Sequence, residues 1–330
     1  MSTSFTAGAG FIELAERERL EVSGPQALWF LNQLVTNQVE DVPEGSGRLA
    51  LLLTPKGRII AVLRIWSTAP GALMDVEAAR GESAPLFDFL QGRLFATKAA
   101  IRSVTSDFRA IRVAGPEALL VAERAFGVRL DAPGSMARLP AGLLMRLPAP
   151  LEGFDLWTRR DLGPEPFAQL KSAGVPQLLE SEYDSYRVAV GWPSFGVDFD
   201  ESFLPQEAAM ERAVHFKKGC YLGQEAVAMT QRGRVRRRLR HLSFEGEPSL
   251  GPIYRGGDAV GSVTSIGSAA SGSFGIGTVS TSVFPGEKVL VRGDDGRLAV
   301  VEELPGTVTG PVVPSARELR ERLQSYGPER

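Results

Sequence analysis

Leu20-Glu21-Val22-Ser23-Gly24-Pro25-Gln26-Ala27-Leu28 has a counterpart roughly ninety residues downstream in Ile111-Arg112-Val113-Ala114-Gly115-Pro116-Glu117-Ala118-Leu119. In each, a short alternating run reads as a strand, Gly-Pro interrupts it, and apolar residues follow at helical spacing. In the first copy these are Leu28, Leu31, Leu34 and Val35, with Ser23 or Gly24 as the cap and Pro25 early in the helix. Gly-Pro is common before helices by itself, but here the preceding strand agrees in type as well. The pair therefore predicts two related α+β units as the body of the chain.

Outward from these anchors, Ala50 to Leu53 and Ile59 to Trp66 read as a hairpin around Pro55-Lys56-Gly57. Pro148, Pro150, Pro164 and Pro166 punctuate a region around Leu156-Trp157-Thr158 that reads as loop-rich. Ser181 to Val190 reads as a helix ending at Gly191-Trp192-Pro193, and Asp198 to Gln206 as a loop. Pro248, Gly251, Pro252, Gly256 and Gly257 mark a boundary, beyond which short Val-rich strands alternate with glycine turns. There, Lys288 to Arg292 and Arg297 to Glu302 form one hairpin of a small β-barrel. Ser315-Ala316-Arg317-Glu318 fits a capping box, so a short terminal helix with Leu319 and Leu323 on one face is expected. The fold class is α+β: two intertwined units in residues 1–240, then a β-barrel with a terminal helix in 241–330.

Hydrophobic residues make up 43% and charged residues 23% of the 330, which suits folded domains with real cores rather than disorder. The formal net charge of -2 supplies no global field for nucleic acid or anionic membrane, so any anion site must be local. No apolar run is long enough to span a membrane, and Met1 to Gly10 has neither the basic start nor the apolar run of a leader; the cytoplasm is the expected location.

The chain has 1 cysteine and 2 histidines, His215 and His241. Cluster-type iron sites need about four thiolates and structural zinc sites a comparable Cys/His set, so no metal is expected to be bound by this chain alone. Cys220 could at most be a shared ligand. It lies in Lys217-Lys218-Gly219-Cys220-Tyr221-Leu222-Gly223-Gln224-Glu225, where neighbouring cations favour the thiolate. A small buried hydrophobe is the alternative reading of a lone cysteine. A dyad of His215 with Cys220 has little support from local spacing, since such pairs draw their base from a distant part of the chain.

Lys218 to Glu225 resembles the signature of the YgfZ family, folate-binding proteins related to the T-protein (aminomethyltransferase) of the glycine cleavage system. Leu20 to Pro25, Phe30-Leu31-Asn32-Gln33-Leu34-Val35-Thr36-Asn37 and Leu53-Thr54-Pro55-Lys56-Gly57-Arg58 resemble the family's N-terminal pattern, and Gly261-Ser262-Val263-Thr264-Ser265 its barrel. The resemblance implies a tetrahydrofolate-binding accessory protein for the assembly or repair of iron-sulfur clusters. Its implied ligand is tetrahydrofolate or a derivative. Its implied partners are cluster-dependent client enzymes or cluster-assembly proteins, with an indirect tRNA link through tRNA-modifying clients and no membrane. Cys220 would be the functional thiol and Lys218 its electrostatic support. Gly219 and Gly223 would give the backbone freedom that exposes it, while Tyr221, Gln224 and Glu225 complete the motif.

The related T-protein uses a carboxylate in a Gly-Gly-x-x-Asp-Asp segment, which falls here on Gly57-Arg58-Ile59-Ile60-Ala61-Val62. Its Arg-Leu-Glu-Ala-Gly becomes Arg187-Val188-Ala189-Val190-Gly191. Ala61, Val62 and Ala189 hold no proton and steady no charge, which argues against aminomethyl transfer. A one-carbon transferase with a relocated base and an RNA-binding module remain alternatives.

Arg232, Arg234, Arg236, Arg238 and Arg240 recur at every second residue, which on a strand would set them on one side, opposite Arg237 and Leu239. Such a row needs an acidic or anionic neighbour, or else is a solvated edge. Arg187, Arg234, Arg236 and Arg238 are the candidates for meeting a folate's carboxylates.

Overall fold

The computed structural model describes residues 8–14, 17–78, 86–163, 165–232, 235–269, 271–291 and 296–304. In chain order, strands β1 (Gly10–Glu13) and β2 (Glu18–Ser23) lead to helix α1 (Ala27–Leu34). There follow β3 (Gly47–Leu53), β4 (Ile59–Thr68), β5 (Gly71–Ala78), α2 (Leu86–Gln91) and β6 (Ala100–Ser103). The second unit holds β7 (Phe108–Ala114), α3 (Ala118–Phe126), β8 (Met136–Leu139), β9 (Gly142–Arg146), β10 (Gly153–Arg159) and α4 (Glu165–Ser172). Helices α5 (Glu180–Ala189) and α6 (Gln224–Arg232) precede β11 (Arg237–Phe244), β12 (Gly251–Arg255), β13 (Asp258–Ala269), β14 (Gly272–Ser280), β15 (Lys288–Val291) and β16 (Arg297–Glu302).

The first sheet has the order β3-β4-β5-β2-β6 and the second β8-β9-β10-β7-β1. Exchanging β2 for β7, β3 for β8, β4 for β9 and β5 for β10 converts one order into the other, so the repeat read from two Gly-Pro segments is a repeat of topology. The fifth strand is exchanged between the units. β6 directly precedes β7 in the chain but pairs with β2, and β1 directly precedes β2 but pairs with β7.

Gly24 and Gly115 permit this exchange. Both have positive φ, 109° and 121°, and an added Cβ would lie 2.6 Å from the Lys98 carbonyl oxygen or 2.3 Å from that of Gly8. In each case the obstructing backbone leads into the exchanged strand. Helix α1 starts later than its sequence suggested: Gln26 is the N-cap and makes no side-chain capping bond. Gly24 therefore serves strand crossing, not helix capping.

Alternation along β3 divides its side chains between two cores. Leu49, Leu51 and Leu53 face the large central cluster, whereas Ala50 and Leu52 pack with Leu31 and Phe30 of α1. Leu156-Trp157-Thr158 is not loop but the middle of β10, paired on both sides by β7 and β9. Its apolar run is what a doubly covered strand requires, and Pro148 and Pro150 only precede it. Trp157 meets Trp66 edge to face across the two sheets, with centroids 5.8 Å apart.

A buried charged layer also joins the sheets. Asp75 faces Arg64 within the first and Asp155 faces Arg112 within the second, while Arg64 additionally reaches Asp155. Burial opposes charge on both acids, but Arg64 with Arg17 holds the Asp75 carboxyl below its ordinary range, and Arg112 with Arg64 does so for Asp155.

The barrel is closed, in the order β11-β14-β13-β12-β15-β16. It begins at Arg237, ahead of the proline and glycine cluster that had marked the boundary. The expected β15–β16 hairpin is present, with Lys288 opposite Val300. The terminal helix expected after Ser315 lies outside the described residues.

Candidate functional site

Three segments that resemble family motifs converge around Cys220. Helix α1 ends on a C-cap at Val35, leaving its last carbonyls without helical donors. The Lys218 ammonium fills that gap, donating to the carbonyl oxygens of Asn32 at 2.7 Å, Val35 at 2.8 Å and Asn37 at 2.8 Å, with the Asn32 Oδ1 at 3.1 Å. Lys218 is only 8% exposed; burial pushes its pKa down to about 8, against a smaller opposing influence of Glu40. The donors of Lys218 are thus engaged with α1. Its role here is to fasten the loop, which differs from the electrostatic support of the thiol expected from sequence.

The loop is tied on its other sides as well. The His215 N–H donates to the Thr36 carbonyl at 3.0 Å, and the buried Thr36 hydroxyl donates to the Ala213 carbonyl at 2.6 Å. Gly223, with φ 82°, leaves room for the turn before β4: a Cβ there would lie 2.6 Å from the Thr54 carbonyl oxygen. Tyr221 is buried beneath the loop, its ring 5.3 Å from the Lys218 nitrogen, and burial pushes its hydroxyl up to about 12. Gln224 opens α6, and Glu225 is exposed in the first turn of that helix. Gly219 has nothing within 4 Å of a built Cβ and no positive φ, so no local requirement for glycine exists there.

The outcome is a hydrogen-bonded cradle that leaves Cys220 exposed, with His215, Phe216 and Lys217 also exposed. The alternative of a buried structural cysteine is excluded by that exposure. His215 and Cys220 share no hydrogen bond among the described residues. The other histidine, His241, is buried in the barrel, bonded to the Val188 carbonyl at 2.9 Å and stacked on Phe274.

The arginine row is not one strand. α6 continues through Arg232, Arg234 lies outside the described residues, and Arg236 is exposed at a bend before β11. Within α6, Val227 packs into the central core and the Thr230 hydroxyl donates to the Ala226 carbonyl one turn back. Only Arg238 and Arg240 keep the alternation, and each meets an acid, Glu211 and Glu303 respectively. Arg237, on the other side, lies 3.9 Å over the Phe203 ring. Arg187 is 4% exposed and bonds Asp184, Asp198 and Ser265, fastening α5 to the barrel.

A separate feature escaped the sequence reading. Between the two units lies a cavity of about 320 Å³, lined by the apolar Leu49, Trp66, Pro133 and Pro148 and by the cationic Arg48, Arg64, Arg146 and Arg212. Asn37 also lines it, and among the described residues no carboxylate does. A smaller recess shares Leu49, Arg64 and Pro148, and adds Val62, Asp75, Glu77 and Trp192. These residues are scattered from Asn37 to Arg212, and no local spacing announces them; only the Arg64 placed within an otherwise apolar strand was a signal.

Two repeated antiparallel sheets joined by an exchanged strand, with a closed barrel behind them, define a T-protein-like fold. The aminomethyltransferase T of the glycine cleavage system from Bartonella henselae superposes with a TM-score of 0.80 over 91% of this chain and 86% of its own, at 21% identity. Residues 3–137 match the GCVT N-terminal domain. At1g60990, a chloroplastic protein of Arabidopsis thaliana, is 25% identical over 316 residues, 92% of this chain and 72% of its own. An aminomethyltransferase of Streptomyces avermitilis is 27% identical over 275 residues, 78% of this chain and 74% of its own. No helix among the described residues is long and apolar enough to cross a membrane.

Proposed function

We propose that this chain is a YgfZ-type protein that binds tetrahydrofolate or a derivative in the cavity between its units. Through Cys220 it serves the assembly or repair of iron-sulfur clusters in client enzymes, including some that modify tRNA, in the cytoplasm. The observation that carries the folate reading is the composition of the cavity. An indole and two prolines suit a flat heteroaromatic ring, and Arg212, whose guanidinium forms no ion pair among the described residues, suits an anionic ligand. The comparison with aminomethyltransferases agrees with a folate ligand. The cradle that fixes Cys220 on the surface supports a thiol acting on another macromolecule, since a partner can reach it there. Calorimetry with tetrahydrofolate tests the first half; absence of both heat and thermal shift would refute it.

Aminomethyl transfer is not the favoured chemistry. Ala61 packs in the core against α1, and Val62 presents only methyl groups to the recess. One observation supports a relocated base as a second reading: Glu77 lies directly across from Val62 on β5 and lines the same recess. Its carboxylate is held by Arg17 at 3.2 Å and by the Phe195 N–H at 3.2 Å, a structural engagement. Formation of a methylene-folate product that disappears in Glu77→Gln would establish this second reading. An RNA-binding role draws little from the arginine row, whose strand members already face acids.

A further inference from the structure

The cavity wall carries an unbalanced charge. Arg48 pairs with Asp41 at 2.9 Å, Arg64 with Asp75 and Asp155, and Arg146 lies 3.8 Å from Glu152. Among the described residues, Arg212 forms no ion pair. Its sequence neighbour Glu211 turns to Arg238. Arg212 donates through Nη1 to the Ala149 carbonyl at 3.0 Å and stacks 5.1 Å over Trp192, while its Nε and Nη2 are buried without a hydrogen-bond partner. Burial lowers its pKa from the ordinary value, with Glu211 as the opposing influence.

Trp66, which also lines the cavity, likewise has its indole Nε1 buried without an acceptor. Arg212 as a whole is half-buried, but a buried N–H left without an acceptor costs about 1–3 kcal/mol. Both groups are donors, and no carboxylate among the described residues lines the cavity to answer them. The missing partner is therefore an acceptor-rich, negatively charged group brought by a ligand.

We propose that Arg212 is a specificity-determining residue that selects ligands bearing a carboxylate, so that the cavity reads the aminobenzoyl-glutamate end of its ligand by charge. This rests on the reading of the cavity as a folate site and adds the part of the ligand that must be present. At low effective dielectric a guanidinium acts on a carboxylate across the cavity even without a direct bond.

The test compares three probes on wild type, Arg212→Gln and Arg212→Lys by calorimetry: tetrahydrofolate, 6-methyltetrahydropterin, which keeps the pterin but lacks every carboxylate, and p-aminobenzoylglutamate. Arg212→Gln should weaken tetrahydrofolate and p-aminobenzoylglutamate roughly tenfold or more and change 6-methyltetrahydropterin by less than about twofold, while Arg212→Lys retains most of the preference. Equal loss for all three probes, no loss for any, or failure of wild type to bind either carboxylate-bearing probe would overturn the proposal. Binding of p-aminobenzoylglutamate that depends on Arg212, with no gain from the pterin, would uphold the role of Arg212 and refute the folate reading instead.

Discussion

The Lys218 ammonium lies 2.8 Å from the carbonyl oxygen of Asn37, and the side-chain amide of the same Asn37 donates at 2.7 Å to the carbonyl of Leu49 in the cavity wall. One residue thus touches both the anchor of the thiol loop and the lining of the cavity.

Replacing Lys218 by Met should remove a bonded cation and leave buried carbonyls at the end of α1 without donors, a loss of about 2–3 kcal/mol read by urea unfolding. The pH dependence has a definite sign. The folded pKa of about 8 lies below the ordinary 10.5, so the penalty for holding the ammonium is fully present below pH 8 and fades as pH rises toward 10.5. Wild type should therefore gain stability relative to Lys218→Met across that window. A flat difference from pH 7 to 10 would contradict the buried cation.

The two glycines flanking Cys220 should respond differently. Gly223→Ala combines a left-handed backbone with a contact to the Thr54 carbonyl, and should cost roughly 2 kcal/mol or more in thermal melts. Gly219→Ala meets open space and should melt within about 1 °C of wild type. Reversal of that order would mean that the loop is held in another conformation.

Cys220→Ser should leave the melting temperature unchanged, because the side chain is exposed, yet abolish support of cluster-dependent enzymes in cells. Native wild-type protein should also be fully labelled by a thiol reagent without denaturant. Normal cellular function of the serine variant would sink the working-thiol reading, and masked labelling would sink the exposed geometry.

Asp155→Asn should destabilise strongly, by about 3–5 kcal/mol, since it strips Arg112 and Arg64 of a buried counter-charge. The Asp155 carboxyl is depressed from 3.8, so its stabilising contribution is present above that pH and is lost as pH falls toward the depressed folded value. The gap between wild type and variant should therefore narrow in acid, as followed by circular dichroism from pH 7 to 2. A gap that widens would place the charge balance elsewhere.

The duplication, the first hairpin and the barrel were legible because each rests on local pattern: Gly-Pro after a strand, apolar runs on either side of Pro55-Lys56-Gly57, glycine turns between Val-rich strands. The exposure of Cys220 agrees with the motif, but the roles did not transfer: Lys218 fastens the loop to α1, and Gly219 has no local requirement for glycine. Tertiary partners were not legible. Arg187, Arg238 and Arg240 look like free cations in one dimension, and only the fold brings Asp198, Glu211 and Glu303 against them. The even spacing of Arg232 to Arg240 misled because period two is a property of residue choice as well as of strands, and α6 carries the helix through its first member. The cavity was invisible for the opposite reason: its walls come from β3, β4, the turn before β8, the end of β9 and the segment before Cys220, which no single window contains.

The exchanged strands impose an order on biosynthesis. β1 leaves the ribosome well ahead of its partner β7, since Gly10 pairs with Ala114, so its edge must stay unsatisfied while about a hundred residues follow. The first sheet likewise lacks its outer strand until Ala100 to Ser103 have emerged to meet β2. Neither half is a self-sufficient folding unit during translation, and a ribosome stalled before β7 would display an open β-edge available to chaperones or to a neighbouring nascent chain.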